Sequence, residues 1–363
     1  MRVLLILSII ALIAMLVVIA GCERKVVNEA NNDNQGLAGC FGCHGEEAFD
    51  GALLQAKGEW ENSIHASGNS VDYTNRDKSD CMMCHDQQGF IDMLNTGTID
   101  TTRYAVVSAI HCFTCHAPHQ NGNLQLRTEA PYALQNGVIF DHGAANLCVR
   151  CHHTRTALTA DLGTADTVKL TTRFGPHHGP QGDMLQGTQG YQFAGYAYPT
   201  ASQHGAATAE GCIDCHMGNP QAHDGYNIGG HSFNMTYFNE ESETEYTLSG
   251  VCTSCHPAAE SFDYNLKGVD YNNNGVKEGI QTELEGLRDT LQIWLKAAGA
   301  LSEDTTEIPH AFSIVNNKWV PRNVAGAVYN WVLFKEDRSW GVHNPQYLYH
   351  LLKSSVDYMK AHQ

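Results

Sequence analysis

Basic side chains are scarce in this chain: 22 lysines and arginines stand against 39 aspartates and glutamates in 363 residues, a formal net charge of −17. Such a surface repels polyanions, which argues against nucleic acid and anionic lipid as partners. Period-two alternation of apolar residues is weak throughout, so strands carry little of the expected fold. Long apolar runs are confined to residues 3–20. No cysteine is left over for a disulfide. Twelve of the 13 fall in six copies of Cys-x-x-Cys-His, and the thirteenth, Cys22, closes the apolar run.

The copies are Cys40, Cys43 and His44; Cys81, Cys84 and His85; Cys112, Cys115 and His116; Cys148, Cys151 and His152; Cys212, Cys215 and His216; and Cys252, Cys255 and His256. Each is a covalent haem attachment site. Two thiols three residues apart form thioethers to the porphyrin vinyls, and the adjoining imidazole reaches the iron as proximal ligand. Zinc ribbons and dithiol proteins share Cys-x-x-Cys, but a histidine trailing every copy and an export leader argue against both. Six haem c groups within residues 39–258 leave little protein bulk per macrocycle. Haem faces then supply much of the core. Gly, Asn, Thr and Tyr between the motifs predict short helices joined by irregular loops, a mainly α fold.

Arg2, the apolar run and the sequence Ile19-Ala20-Gly21-Cys22 form a secretory signal. The last four residues resemble a bacterial lipobox, which implies cleavage before a lipidated Cys22. Residues 1–21 are then the signal peptide and 22–38 a polar tether. An uncut membrane span is the competing reading. The expected location is the outer membrane, on its periplasmic or cell-surface face.

Residues 259–363 hold no further motif and show helical periodicity. Ile280, Leu284, Leu287, Leu291 and Trp294 share one helix face. A second helix is expected over residues 322–334. A third begins near Pro345, a favoured first-turn residue, with Leu348, Leu351, Leu352, Val356 and Met359 on one side. Their apolar faces are expected to cover the haem array. Just upstream, Asp270, Asn272, Asn274, Gly275, Val276 and Glu278 take positions one, three, five, six, seven and nine of an EF-hand-like loop, which suggests one structural calcium ion. Position twelve is Gln281, with Glu283 nearby to compensate. An Asn-rich turn is the alternative.

Six irons with one histidine each need a second axial ligand, and 20 histidines are present, so bis-histidine ligation is the natural reading. Met184, Met217 and Met235 are less favoured, and His153 reads as a surface residue. Several segments resemble multihaem cytochromes c of the group that includes the pentahaem nitrite reductases, the octahaem hydroxylamine oxidoreductases and their electron-transfer relatives. They are Cys112 to His119; Cys212 to Met217 with Gly229 to Phe233; Pro176 to Gln181 with His204; Gly341 to Pro345; and Trp60 to His65. The resemblance implies His65, His119, His178, His204, His231 and His343 as distal ligands, with His177, His111, His142 and His310 in reserve.

The nitrite reductases commonly place lysine where the catalytic motif has its histidine, and here every motif ends in His. The hydroxylamine oxidoreductases keep histidine and cross-link a tyrosine, so Tyr191, Tyr196 and Tyr198 keep an open site in view. Irons closed on both faces support outer-sphere electron transfer alone. The favoured reading is thus a lipid-anchored electron carrier serving redox partner proteins. A reductase of nitrite, hydroxylamine or sulfur oxyanions and a subunit of a haem filament are the alternatives.

Overall fold

A computed structural model describes residues 51–67, 79–100, 108–121, 123–177, 179–200, 202–302 and 314–362. The leader, Cys22 with its tether, the first haem motif, His178 and His310 lie outside the described residues. The rest falls in one unit, Phe49–Gln363.

Through the motif region the helices are short: α1 (Gly51–Glu61), α2 (Ile64–Ser67), α3 (Ser79–His85), α4 (Gln87–Thr96), α5 (Cys112–Cys115), α6 (Pro118–Asn121), α7 (Ala145–Cys148), α8 (Leu158–Leu162), α9 (Gln181–Leu185), α10 (Gln203–Ala207) and α11 (Cys212–His216). Glycines stop two of them, Gly97 after α4 and Gly163 after α8. In α4 the Asp86 carboxylate caps the start by accepting the Gly89 N–H, and Gly97 ends the helix at φ 71°, a conformation open to glycine at little cost. Strand content is small, as the weak alternation implied. Strands β1 (Tyr132–Ala133), β2 (Ile139–Phe140), β3 (Thr167–Lys169), β4 (Gln221–His223), β5 (Tyr226–Ile228), β6 (Thr236–Asn239), β7 (Thr244–Thr247) and β8 (Trp319–Pro321) pair antiparallel as β1–β2, β3–β8, β4–β5 and β6–β7.

The C-terminal stripes become three long helices, α12 (Ile280–Ala297), α13 (Arg322–Asp337) and α14 (Pro345–Ala361), which pack on one another. Leu284, Leu287, Leu291 and Leu295 of α12 and Leu348, Leu351, Leu352, Val356 and Met359 of α14 are buried, each such side chain contributing about 1.5–3 kcal/mol. Helix α13 is buried almost all round from Ala325 to Phe334, because it lies between its two neighbours and the segment before α9. Asn344 caps α14 with Pro345 in its first turn.

The two regions read from the sequence share this core. Leu162, Val168, Leu170, Phe174, Met184 and Phe193 from the motif region join the helices, and β3 pairs with β8. Met184, a candidate ligand, is fully buried packing instead. The buried Asn330 amide of α13 fastens the intervening loop, donating to the Tyr191 carbonyl at 2.8 Å while its Oδ1 accepts the Tyr191 N–H at 2.8 Å. A glycine at 326 makes room for this approach, since a Cβ there would collide with the Tyr191 ring.

Candidate haem centres

A helical turn places the two thiols of Cys-x-x-Cys on one side with the histidine next to them, and α3, α5 and α11 carry both motif cysteines in that way, while α7 ends on Cys148. The motifs are brought against each other. The Cys84 thiol hydrogen-bonds with Cys151, and Cys148 with Cys212, joining the second motif to the fourth and the fourth to the fifth. In haem-loaded protein these sulfurs would be thioethers. The fifth motif in turn packs on the 3-10 turn Ser249–Cys252 that opens the sixth.

One metal ion between two imidazoles imposes a spacing: bonds of about 2 Å and about 1.1 Å from each nitrogen to its ring centre sum to roughly 6.2 Å. Five pairs meet it. Ring centres lie 6.4 Å apart for His85 and His177, 6.5 Å for His116 and His231, and 6.1 Å for His152 and His65. They lie 6.3 Å apart for His216 and His343, and 6.2 Å for His256 and His204. Each pair joins a motif histidine to one from elsewhere in the chain.

Hydrogen bonds at Nδ1 set the tautomer. His204 faces the Val342 carbonyl at 2.6 Å, His216 the Phe233 carbonyl at 3.1 Å, His152 the Gln181 Oε1 at 3.2 Å and His343 the Asp337 Oδ1 at 2.7 Å. Oxygens of these kinds accept, so each Nδ1 donates and the lone pair is left on Nε2 for a metal. Burial, with the neighbouring His152, pushes His65 down to about 4, and burial with His343 does the same to His216. These rings are neutral at neutral pH, the form that ligates. His343 differs: burial works against its charged form, but the Asp337 carboxylate outweighs that and raises its pKa.

Paired thiols, an adjoining imidazole and a second imidazole at the right spacing fit haem c. No family model matches the chain. Over 303 residues, 77% of its length, it is 24% identical to the C-type polyheme cytochrome OmcB of Geobacter sulfurreducens, in strains DL-1 / KN400 and PCA alike. Motifs and match together support a multihaem c-type cytochrome. The chain spans about 37% of the length of those relatives. Among solved structures it is similar to the outer cell wall cytochrome OcwA, at TM-score 0.49 and 20% identity over 83% of this chain and 49% of that one.

Four of the six expected distal histidines stand opposite motif histidines: His65, His204, His231 and His343. Among the described motif histidines the fifth, His85, takes its partner from the reserves: it stands opposite His177, the immediate neighbour of His178. His119 rests by the Phe113 ring, with centres 5.4 Å apart. His153 is no surface residue. It is 4% exposed, with Nδ1 bonded to the Thr154 carbonyl at 2.6 Å and Nε2 3.2 Å from the Tyr132 hydroxyl.

Three supporting residues escaped the sequence reading: Asp337, Gln181 and Glu59. Gln181 links the His152 ring to the C-terminal end of α13, where its Nε2 donates to the Glu336 carbonyl at 3.0 Å. Glu59 accepts the His231 backbone N–H at 2.8 Å. One signal was available for Asp337. Acidic residues are disfavoured at a helix C-terminus, so Glu336 and Asp337 ending α13 asked for a local proton donor.

The candidate calcium loop turns its oxygens inward. Asp270 accepts the Asn274 and Gly275 N–H groups at 3.1 and 2.9 Å, Asn274 Oδ1 accepts from Val276 at 2.7 Å, and the Asn274 amide donates to Glu278 at 2.8 Å. Glu283 does not replace the missing twelfth ligand. Its fully buried carboxylate accepts the N–H groups of Tyr271, Asn272 and Glu278 at 2.9, 3.0 and 2.9 Å. Among the described residues no group of three or more His, Cys, Asp or Glu is placed to hold a metal ion. None of the described helices is long and apolar enough to cross a membrane.

Proposed function

We propose that this chain is an exported, lipid-anchored hexahaem cytochrome c that passes electrons between redox partners of the cell envelope. The observation that carries the reading is the set of five imidazole pairs spaced for one iron each. Haem supplies one-electron chemistry when bound. The residues do the rest. His85, His116, His152, His216 and His256 hold one face of each site, and His177, His231, His65, His343 and His204 close the other against water and small oxyanions. His119, in its Cys-His-Ala-Pro-His setting, is assigned to the first motif, whose ligand is His44. Contacts between motifs keep neighbouring sites close enough for transfer along the chain. Envelope anchoring rests on the leader and Cys22, and Cys22→Ser is expected to release the protein from the membrane fraction.

The test is a count of spin states in purified protein by EPR and optical titration. Six low-spin haems are expected. One high-spin haem per chain that turns over nitrite or hydroxylamine would replace this reading with that of a reductase.

A further inference from the structure

The hydrogen bonds at ligand Nδ1 differ in one respect that matters for iron. Val342 and Phe233 offer carbonyls and Gln181 an amide, all neutral, whereas Asp337 offers a carboxylate at 2.7 Å from His343. Asp337 is 1% exposed, so little water screens its charge. Its second oxygen accepts the Ser339 hydroxyl, and Ser339 Oγ in turn accepts the His343 and Gly341 N–H groups at 3.2 Å. This closed ring of bonds between residues 337 and 343 fixes the carboxylate on the imidazole. Glu59 also lies beside a ligand ring, 3.6 Å from His231 Nδ1, and accepts the His231 backbone N–H at 2.8 Å.

A buried anion drawing on the Nδ1 proton makes the imidazole a stronger donor at Nε2, which favours ferric over ferrous iron. Resting on the electron-carrier reading, we infer that Asp337 is a positioning residue that sets the fifth haem, held by His216 and His343, at a lower potential than the fourth and sixth, where His152 and His204 meet neutral acceptors. The fifth motif lies between the fourth and the sixth, so the site forms a reducing step between those two. No bond would be made or broken there: haem held by His216 and His343 would supply one-electron transfer only.

The test uses haem-loaded full-length Asp337→Asn and Asp337→Glu in optical and EPR redox titrations. In Asp337→Asn one potential of the six rises, the other five hold, and the low-spin signal of one haem moves. Asp337→Glu returns that potential toward the wild-type value. Ser339→Ala, which removes the competing donor, lowers the same potential, and this variant decides the matter if Asp337→Asn fails to take up haem. Unchanged potentials in Asp337→Asn and Ser339→Ala, or all six moving together, overturn the inference. Such a result with six low-spin haems leaves the electron-carrier reading standing, whereas a high-spin haem in the wild type removes that reading itself.

Discussion

His65, on a four-residue helix near the start of the described chain, and His152, the last residue of the fourth motif, face each other with ring centres 6.1 Å apart. Removing the distal member opens one iron and no other. His65→Ala is expected to convert one haem of six to high spin, visible by EPR, while its Cys-x-x-Cys attachment stays intact. A spectrum identical to wild type would remove His65 as a ligand.

The same experiment separates His177 from His178. With His177 6.4 Å from His85, His177→Ala is expected to yield one high-spin haem and His178→Ala none. The reverse outcome would restore His178 as the ligand.

Burial pushes the Asp183 carboxyl up to about 7, although it accepts the Thr154 N–H at 2.6 Å. Its folded pKa lies above the unfolded value of 3.8, so stability from the neutral acid is complete below about pH 4 and is lost as pH rises to about 7. Asp183→Asn cannot ionise. Its stability relative to wild type should climb by up to about 4 kcal/mol over that interval and stay level above it, by thermal denaturation of the haem-loaded protein. A difference independent of pH rules the buried acid out.

Gly326→Ala forces a methyl group into the Tyr191 ring. Overpacking of this kind costs about 1–3 kcal/mol, and Tyr191→Ala in the same chain should show favourable coupling in a double-mutant cycle. Strict additivity would mean the two do not touch.

Glu283→Ala strands three backbone N–H groups at the entrance to α12. A loss of about 3 kcal/mol is expected from the buried donors, and added calcium should not restore it. Rescue by calcium would establish the loop as a metal site.

Much of the scaffold was legible because its causes are local. The leucine stripe from Leu284 to Leu291 is a property of one helix, and Pro345 with Asn344 marks a boundary whatever the helix packs against. Helix α13 was read three residues short, to Phe334. Its last turn survives on long-range partners, with Gln181 bonding the Glu336 carbonyl and His343 the Asp337 side chain, and neither partner lies within the helix itself. The calcium loop had the right letters in the right places. Its hydrogen bonds depend on where Glu283 falls once α12 is formed.

The amino-acid sequence by itself determined where haem can attach, because thioether formation and a proximal ligand need only five consecutive residues. Tertiary structure decided which imidazole stands opposite each described motif histidine and which acceptor fixes it. His177 and His178 are equivalent in composition and nearly so in position, and no local pattern distinguishes them. The choice follows from packing that carries His177 to His85, His65 to His152 and Asp337 to His343, contacts between residues whose spacing along the chain obeys no period.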